Sequence, residues 1–261
     1  NRALAELKGR AASIPNQTIL IDTLALQEAK ASSEIENIVT TQDDLFQAEL
    51  FPGGPGSAAA KEVALYRDAL KLGYDRLRES DGLITNATII AMFQLLKQRE
   101  GGFRETPGTA LRNEASGEVI FVPPQDRNEI IALMRDLEDY VNGEGRDTLD
   151  PLIRMALIHH QFESIHPFPD GNGRIGRILN VLYLAKTGLL EIPVLYLSRH
   201  ITQNKDSYYH LLQEVRTGGA WENWVLFMLE AIAETSEATL LLVDGIRTQM
   251  RDMKTRMRSE V

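Results

Sequence analysis

The sequence predicts a mainly α-helical domain carrying one small β-hairpin. Apolar residues recur at helical spacing along most of the 261 residues, and that period lapses between Thr106 and Pro124. The lapse is bounded by turn signals, Pro107-Gly108 and Ala115-Ser116-Gly117, and holds the best strand candidate, Val119-Ile120-Phe121-Val122. Apolar content of 43% is ample for a core.

In chain order, Ala3–Leu7 reads as a short helix ending near Gly9, Pro15-Asn16 as a loop and Ile19–Ile21 as a short apolar run. Leu24–Val39 follows a helical period through Leu24, Ala25, Glu28, Ala31, Ile35 and Ile38. Within it Ser32 and Glu36 lie four apart, on one face. Thr40-Thr41-Gln42-Asp43-Asp44 has the form of a helix start with acids in its first turn. Residues 51–57, rich in Gly and Pro, read as a linker. Helices are expected over Ala58–Arg78 and Asn86–Arg99, the second capped by Thr85 and broken by Gly101-Gly102-Phe103-Arg104. Hairpin strands follow near Thr109–Asn113 and Glu118–Val122. Arg127–Asn142 is amphipathic and Gly143-Glu144-Gly145 stops it. Asp150-Pro151 opens the next helix, with Asp as cap and Pro at the first position. Gly188 ends the one after. An apolar connector, Leu189–Leu197, leads to helices over Arg199–Arg216, Trp221–Ala233 and Ala238–Arg258.

The chemistry concentrates in His166-Pro167-Phe168-Pro169-Asp170-Gly171-Asn172-Gly173-Arg174-Ile175-Gly176-Arg177, a loop feeding a helix N-terminus. Gly171 and Gly173 flank Asn172, so the backbone can curl and present successive N–H groups to an anion, phosphate above all. Arg174 and Arg177, three apart, can share a helix face and offer forked donors to one polyanion. An acid in such a nest, Asp170, suits Mg²⁺ held between a carboxylate and phosphate oxygens. His166 at the loop mouth can take a proton from an attacking hydroxyl. His159 and His160 are expected to be structural, because no carboxylate or cysteine completes a ligand set at helical spacing.

This segment resembles the Fic-domain motif, His-x-Phe-x-Asp/Glu-Gly-Asn-Gly-Arg-x-x-Arg, and matches it at every fixed position. The resemblance implies a Fic-type helical domain with a hairpin flap, moving AMP from ATP to a Ser, Thr or Tyr hydroxyl of a protein, the chain itself among the targets. It implies His166 as base, Asp170 on Mg²⁺, and a phosphate cradle of Gly171, Asn172, Gly173 and Arg174, with Phe168 buried beneath. Ser32, Glu36 and Asn37 are similar to the Ser/Thr-x-x-x-Glu-Gly/Asn pattern of an inhibitory helix, which implies that Glu36 pairs with Arg177 where the γ-phosphate would sit. The hairpin takes the place of the flap, with Leu111 and Ile120 as clamp candidates for a target strand. Tyr208, and Arg216 beyond it, are carried over to the adenine pocket. The division expected is an N-terminal helical region with the inhibitory helix over 1–57, the catalytic domain over 58–235 and a C-terminal helix over 236–261. Other transfers (of phosphate or UMP) and Glu36-dependent removal of AMP are the alternatives, as is a non-enzymatic interaction module, which would tolerate a broken motif.

Net charge of −9 argues against a general nucleic-acid binder. No apolar run approaches the roughly twenty residues of a membrane span. The lack of cysteine and of a signal-like start fits a cytoplasmic protein, and room is left for a homodimer. The chain starts at Asn1 rather than Met and reads as trimmed.

Overall fold

The computed structural model describes residues 2–14, 16–50, 57–112, 116–143 and 148–259. Eleven helices and one hairpin are found among them: α1 (Arg2–Ala12), α2 (Gln17–Ile35), α3 (Gln42–Leu50), α4 (Ala58–Glu79), α5 (Asn86–Lys97), β1 (Leu111–Arg112), β2 (Val119–Phe121), α6 (Arg127–Asn142), α7 (Pro151–Ile165), α8 (Asn172–Lys186), α9 (Ser198–Gln203), α10 (Lys205–Gly218) and α11 (Trp221–Ser259).

The antiparallel pair α7–α8 is the centre of the molecule. Both helices are apolar nearly all round, and α8 buries every residue from Arg174 to Leu184. Such a helix needs cover on all sides. α4 packs on α8, α6 and α11 pack on α7, and α2 lies between α4 and α9. One apolar cluster runs from Leu4 to Val243 through all of these. None of the described helices is long and apolar enough to cross a membrane.

Thr85 and Asp150 cap their helices as expected, accepting from the N–H groups of Thr88 and Leu152, and Ser57 and Asp126 likewise accept from those of Ala60 and Glu129. Thr41 and Asp44 form a reciprocal pair at the start of α3: Thr41 N–H donates to the Asp44 carboxylate and Asp44 N–H to Thr41 Oγ1. The hairpin pairs Leu111 with Phe121 and Arg112 with Val119, so the strands are shorter than the sequence suggests. The expected linker lies outside the described residues except for Ser57, as do Asn113–Ala115 in the expected hairpin and Glu144-Gly145 in the stop after α6.

Four boundaries differ from expectation. The first helix does not stop near Gly9 but runs on to Ala12, because Leu7 and Ala11 continue its buried face. The helix expected from Leu24 starts at Gln17, because Asn16 caps it, and ends at Ile35. Asn37 takes a left-handed φ of 60°, and the N–H groups of Glu36 and Ile38 both close on the Ser33 carbonyl. Asparagine is the residue after glycine that best tolerates that turn. The helix expected over Arg199–Arg216 is split at Asn204, whose amide donates to the His200 carbonyl and ends α9. The last two expected helices are one. Thr235, Ser236 and Thr239 interrupt the apolar pattern, but each hydroxyl donates to the carbonyl four residues back, so α11 runs through residues 235–236 unbroken.

Candidate active site

The site forms where the end of α7, the loop 166–171, the start of α8 and the end of α2 meet. α7 stops at His166, which adopts a left-handed φ of 49° while its N–H still donates to the Phe162 carbonyl at 3.0 Å. The loop is then sewn shut by Asn172. Its amide accepts from Phe168 N–H at 2.8 Å and donates to the Phe168 carbonyl at 2.7 Å. Phe168 is fully buried and stacks on Phe93, ring centroids 4.2 Å apart. A rigid loop therefore presents His166 at its mouth. Burial, with Arg104 and Arg216 close by, lowers the His166 pKa to about 4, so the imidazole is neutral and able to accept a proton near pH 7.

Gly171, at φ 79°, caps α8 without a side chain, so the first N–H groups of α8 receive no capping oxygen from it. Those donors and the helix dipole make an anion site. The Glu36 carboxylate is already there. A Cβ added to Gly173 would collide with Glu36 Oε1, and would lie 2.8 Å from Arg177 Nη1. Arg177 Nη2 donates to Glu36 Oε1 at 2.8 Å and to the Ser32 carbonyl at 2.9 Å, and its Nε to Ser32 Oγ at 2.8 Å. Glu36 is the C-cap of α2, the chain turns away after it at Asn37, and Lys205 Nζ donates to Asn37 Oδ1 at 3.0 Å. Ser32, Glu36, Asn37 and Arg177 thus converge as the sequence suggests, with Glu36 at a helix C-cap rather than inside a helix.

Arg174 and Arg177 start on neighbouring turns but part company. Arg174, 2% exposed, donates to Glu62 Oε2 of α4 at 2.6 Å. Asp170 pairs with Lys97 Nζ at 2.5 Å and accepts from Gly171 N–H at 2.6 Å. Burial works to raise the Asp170 pKa, but Lys97 outweighs it and holds the carboxyl below its ordinary range. Among the described residues no three His, Cys, Asp or Glu side chains cluster to hold a metal ion. A lone ionised carboxylate beside an anion site still fits Mg²⁺, which is commonly held by one carboxylate together with phosphate oxygens. Lys97 supplies the positive charge there in this structure.

Of the residues carried over to the nucleotide, Tyr208 is buried, its hydroxyl sharing a hydrogen bond with His159 Nε2 at 2.8 Å. Arg216 caps α7, donating to Ser164 Oγ and the Glu163 carbonyl at 3.2 Å each, and lies over the Phe121 ring at 4.2 Å. Gln213 Nε2 donates to the Ile120 carbonyl at 3.1 Å, so α10 also supports the hairpin. Ile120 is exposed and Leu111 half-exposed on it. His159 and His160 are buried and neutral, with pKa lowered by burial to about 3 and about 4.

Glu62, Lys97, Glu28 and Glu163 were not legible as parts of the site. Glu28 of α2 is buried and accepts from Ser198 N–H at 2.9 Å, from the Ser198 hydroxyl and from Tyr66 at 3.2 Å, fastening α2 to the start of α9. Glu163 is buried with Oε1 unpaired, and burial raises its pKa to about 7. Glu62, Lys97 and Glu28 meet their partners only across the fold. Only Glu28, an acid on an otherwise apolar helical face, left a trace in the sequence.

The mainly helical domain thus sets a neutral histidine beside an anion-binding helix start. Family models cover most of its length: "Fic/DOC family N-terminal" matches residues 1–75 and "Fic/DOC family" residues 83–184. The chain belongs to the Fic/DOC family. It is 27% identical over 202 residues to a probable protein adenylyltransferase of Aquifex aeolicus, covering 76% of this chain and 57% of that one. It is 33% identical over 119 residues to protein adenylyltransferase Fic of Drosophila willistoni, covering 46% and 22%. The chain thus spans only part of these curated relatives. Its fold is similar to that of a Fic family protein from Desulfovibrio desulfuricans (TM-score 0.74, 22% identity, 92% of this chain and 73% of that one). A Fic domain containing signalling protein from Bacteroides thetaiotaomicron is equally similar (TM-score 0.73, 21% identity, 92% and 95%).

Proposed function

We propose that the chain transfers AMP from ATP to a Ser, Thr or Tyr hydroxyl of a protein, and that Glu36 holds it inhibited. The observation that carries this reading is the Glu36 carboxylate, bound to Arg177 over the face of Gly173 where an anion would bind. The names of the relatives support the adenylyl transfer. Residues 58–235 would carry the catalysis and 1–57 the restraint.

In this reading the α8 N–H groups and Arg174 receive the phosphates, Arg177 receives the γ-phosphate once Glu36 withdraws, and Tyr208 and Arg216 back the nucleotide from α10. Neutral His166 takes the proton as the hydroxyl oxygen attacks the α-phosphorus, and the bond to the β-phosphate oxygen breaks to release pyrophosphate. Mg²⁺, held by Asp170 and the phosphates, would neutralise the charge on them. Leu111 and Ile120 would clamp the target strand along the hairpin. With Glu36 docked, ATP meets a carboxylate in the γ-phosphate position and binds out of line, and small misplacements cost large factors in rate.

The test is incubation with ATP labelled at the α- or the γ-phosphate. Protein-bound α-label without γ-label is expected; γ-label alone would mean phosphate transfer and would overturn the reading.

A further inference from the structure

Arg104 follows the breaker Gly101-Gly102-Phe103 after α5, and its side chain is 3% exposed. Its contacts run to main-chain carbonyls. Nε donates to the His166 carbonyl at 2.9 Å, and Nη2 donates to the Ile165 carbonyl at 3.4 Å and to the Pro124 carbonyl. Its own N–H donates to the Pro167 carbonyl at 2.8 Å. Three consecutive carbonyls of the base loop and the residue where the hairpin leaves β2 are therefore held by one residue.

Stability alone does not account for this arrangement. Nη1 is buried without a hydrogen-bond partner, and a buried guanidinium with an orphaned donor costs free energy that an apolar side chain of similar volume would not. His166 is a non-glycine residue in the left-handed region, which persists only where its surroundings over-determine it. The bonds from Arg104 to residues 165, 166 and 167 supply that determination.

We propose that Arg104 is a positioning residue for the transfer reaction: it fixes the backbone of His166 and sets the hairpin at a constant distance from it. The proposal rests on the reading of His166 as the base and of the hairpin as the strand that aligns the target. A target paired along the hairpin is then referenced to the base through one guanidinium fork, a geometry that lysine cannot reproduce. The cation also faces the imidazole. The other charged groups facing His166 are Arg216 from α10 and Glu36 from the end of α2, while the Glu163 main chain of its own helix offers a hydrogen bond that works to raise its pKa. Burial is the main cause of the low His166 pKa, and Arg104 is the next.

Arg104→Met and Arg104→Lys separate the two contributions. Three quantities would be read: the AMP transfer rate in the Glu36→Gly background, the Kd for ATP, and the His166 titration midpoint by NMR, assigned with His166→Ala. Arg104→Met is expected to lower the rate about tenfold to a hundredfold with ATP affinity within about twofold. It is expected to raise the midpoint above about 4, because a cation beside the imidazole is removed while its burial stays. Arg104→Lys should keep the midpoint near wild type and still lower the rate several-fold. Should the Met variant not fold, Arg104→Gln serves as the neutral substitution. A neutral variant with wild-type rate overturns the proposal. If no variant transfers AMP at all, the proposed function fails, and the NMR amide shifts of residues 165, 166 and 168, which need no turnover, still decide the role of Arg104: they should move in the neutral variant, and unmoved shifts would show that Arg104 does not hold the loop.

Discussion

Around His166 nearly every polar contact ends on main chain. Arg104 holds the carbonyls of residues 165 and 166, Asn172 holds both backbone groups of Phe168, and Phe168 is packed among Phe93, Phe103 and Phe162. Around Arg177 the contacts end on another helix, and the deciding one is a side chain, the partly exposed Glu36 carboxylate. The first half is fixed by the fold. The second holds one carboxylate, and under the proposed function a phosphate would replace it, leaving the base in place and regulating only the seat of the anion.

That contrast can be broken from either side. The largest effect is expected at the base. His166→Ala should lower AMP transfer by about a hundredfold to ten-thousandfold while the melting temperature stays near wild type, because the imidazole is half-buried at a loop mouth. Retained activity would remove the histidine from the mechanism. Next comes the loop's anchor. Phe168→Ala deletes a fully buried ring stacked on Phe93 and should cost about 3–5 kcal/mol in denaturant unfolding. A cost below about 1 kcal/mol would show that the loop is held without it. The smallest effect belongs to Tyr208→Phe, which removes one buried hydrogen bond to neutral His159 and should cost about 1 kcal/mol. A larger loss of ATP affinity than of stability there would place the hydroxyl at the nucleotide instead.

The two halves also differ in how far they could be read from the sequence. The loop's residues sit within twelve positions, and their chemistry is local: glycine at Gly171, a capping asparagine, a helix start. Four-residue spacing puts Ser32 and Glu36 on one face but by itself fits a solvated acidic face equally well; only the resemblance to the inhibitory pattern pointed them at Arg177. The turn at Asn37 that ends α2 early was not anticipated, since apolar periodicity continues through Ile38. Glu62, Lys97 and Arg104 find their partners 112, 73 and about 60 residues away, and no local pattern announces contacts made only by packing. The hydroxyls at 235–239 misled for the opposite reason, since polar residues inside a helix can satisfy themselves on it.

The proposed inhibition turns on Glu36 holding the anion seat at Arg177. Self-labelling with α-labelled ATP, compared among wild type, Glu36→Gly and Glu34→Gly, tests it most directly, because Glu34 lies two residues away and is exposed. Glu36→Gly is expected to label at least about tenfold faster than wild type, the factor expected when about 1.4 kcal/mol of competition for the phosphate seat is removed, and Glu34→Gly at the wild-type rate. Equal labelling of all three, or equal activation by both substitutions, would contradict it and leave the end of α2 a purely structural contact.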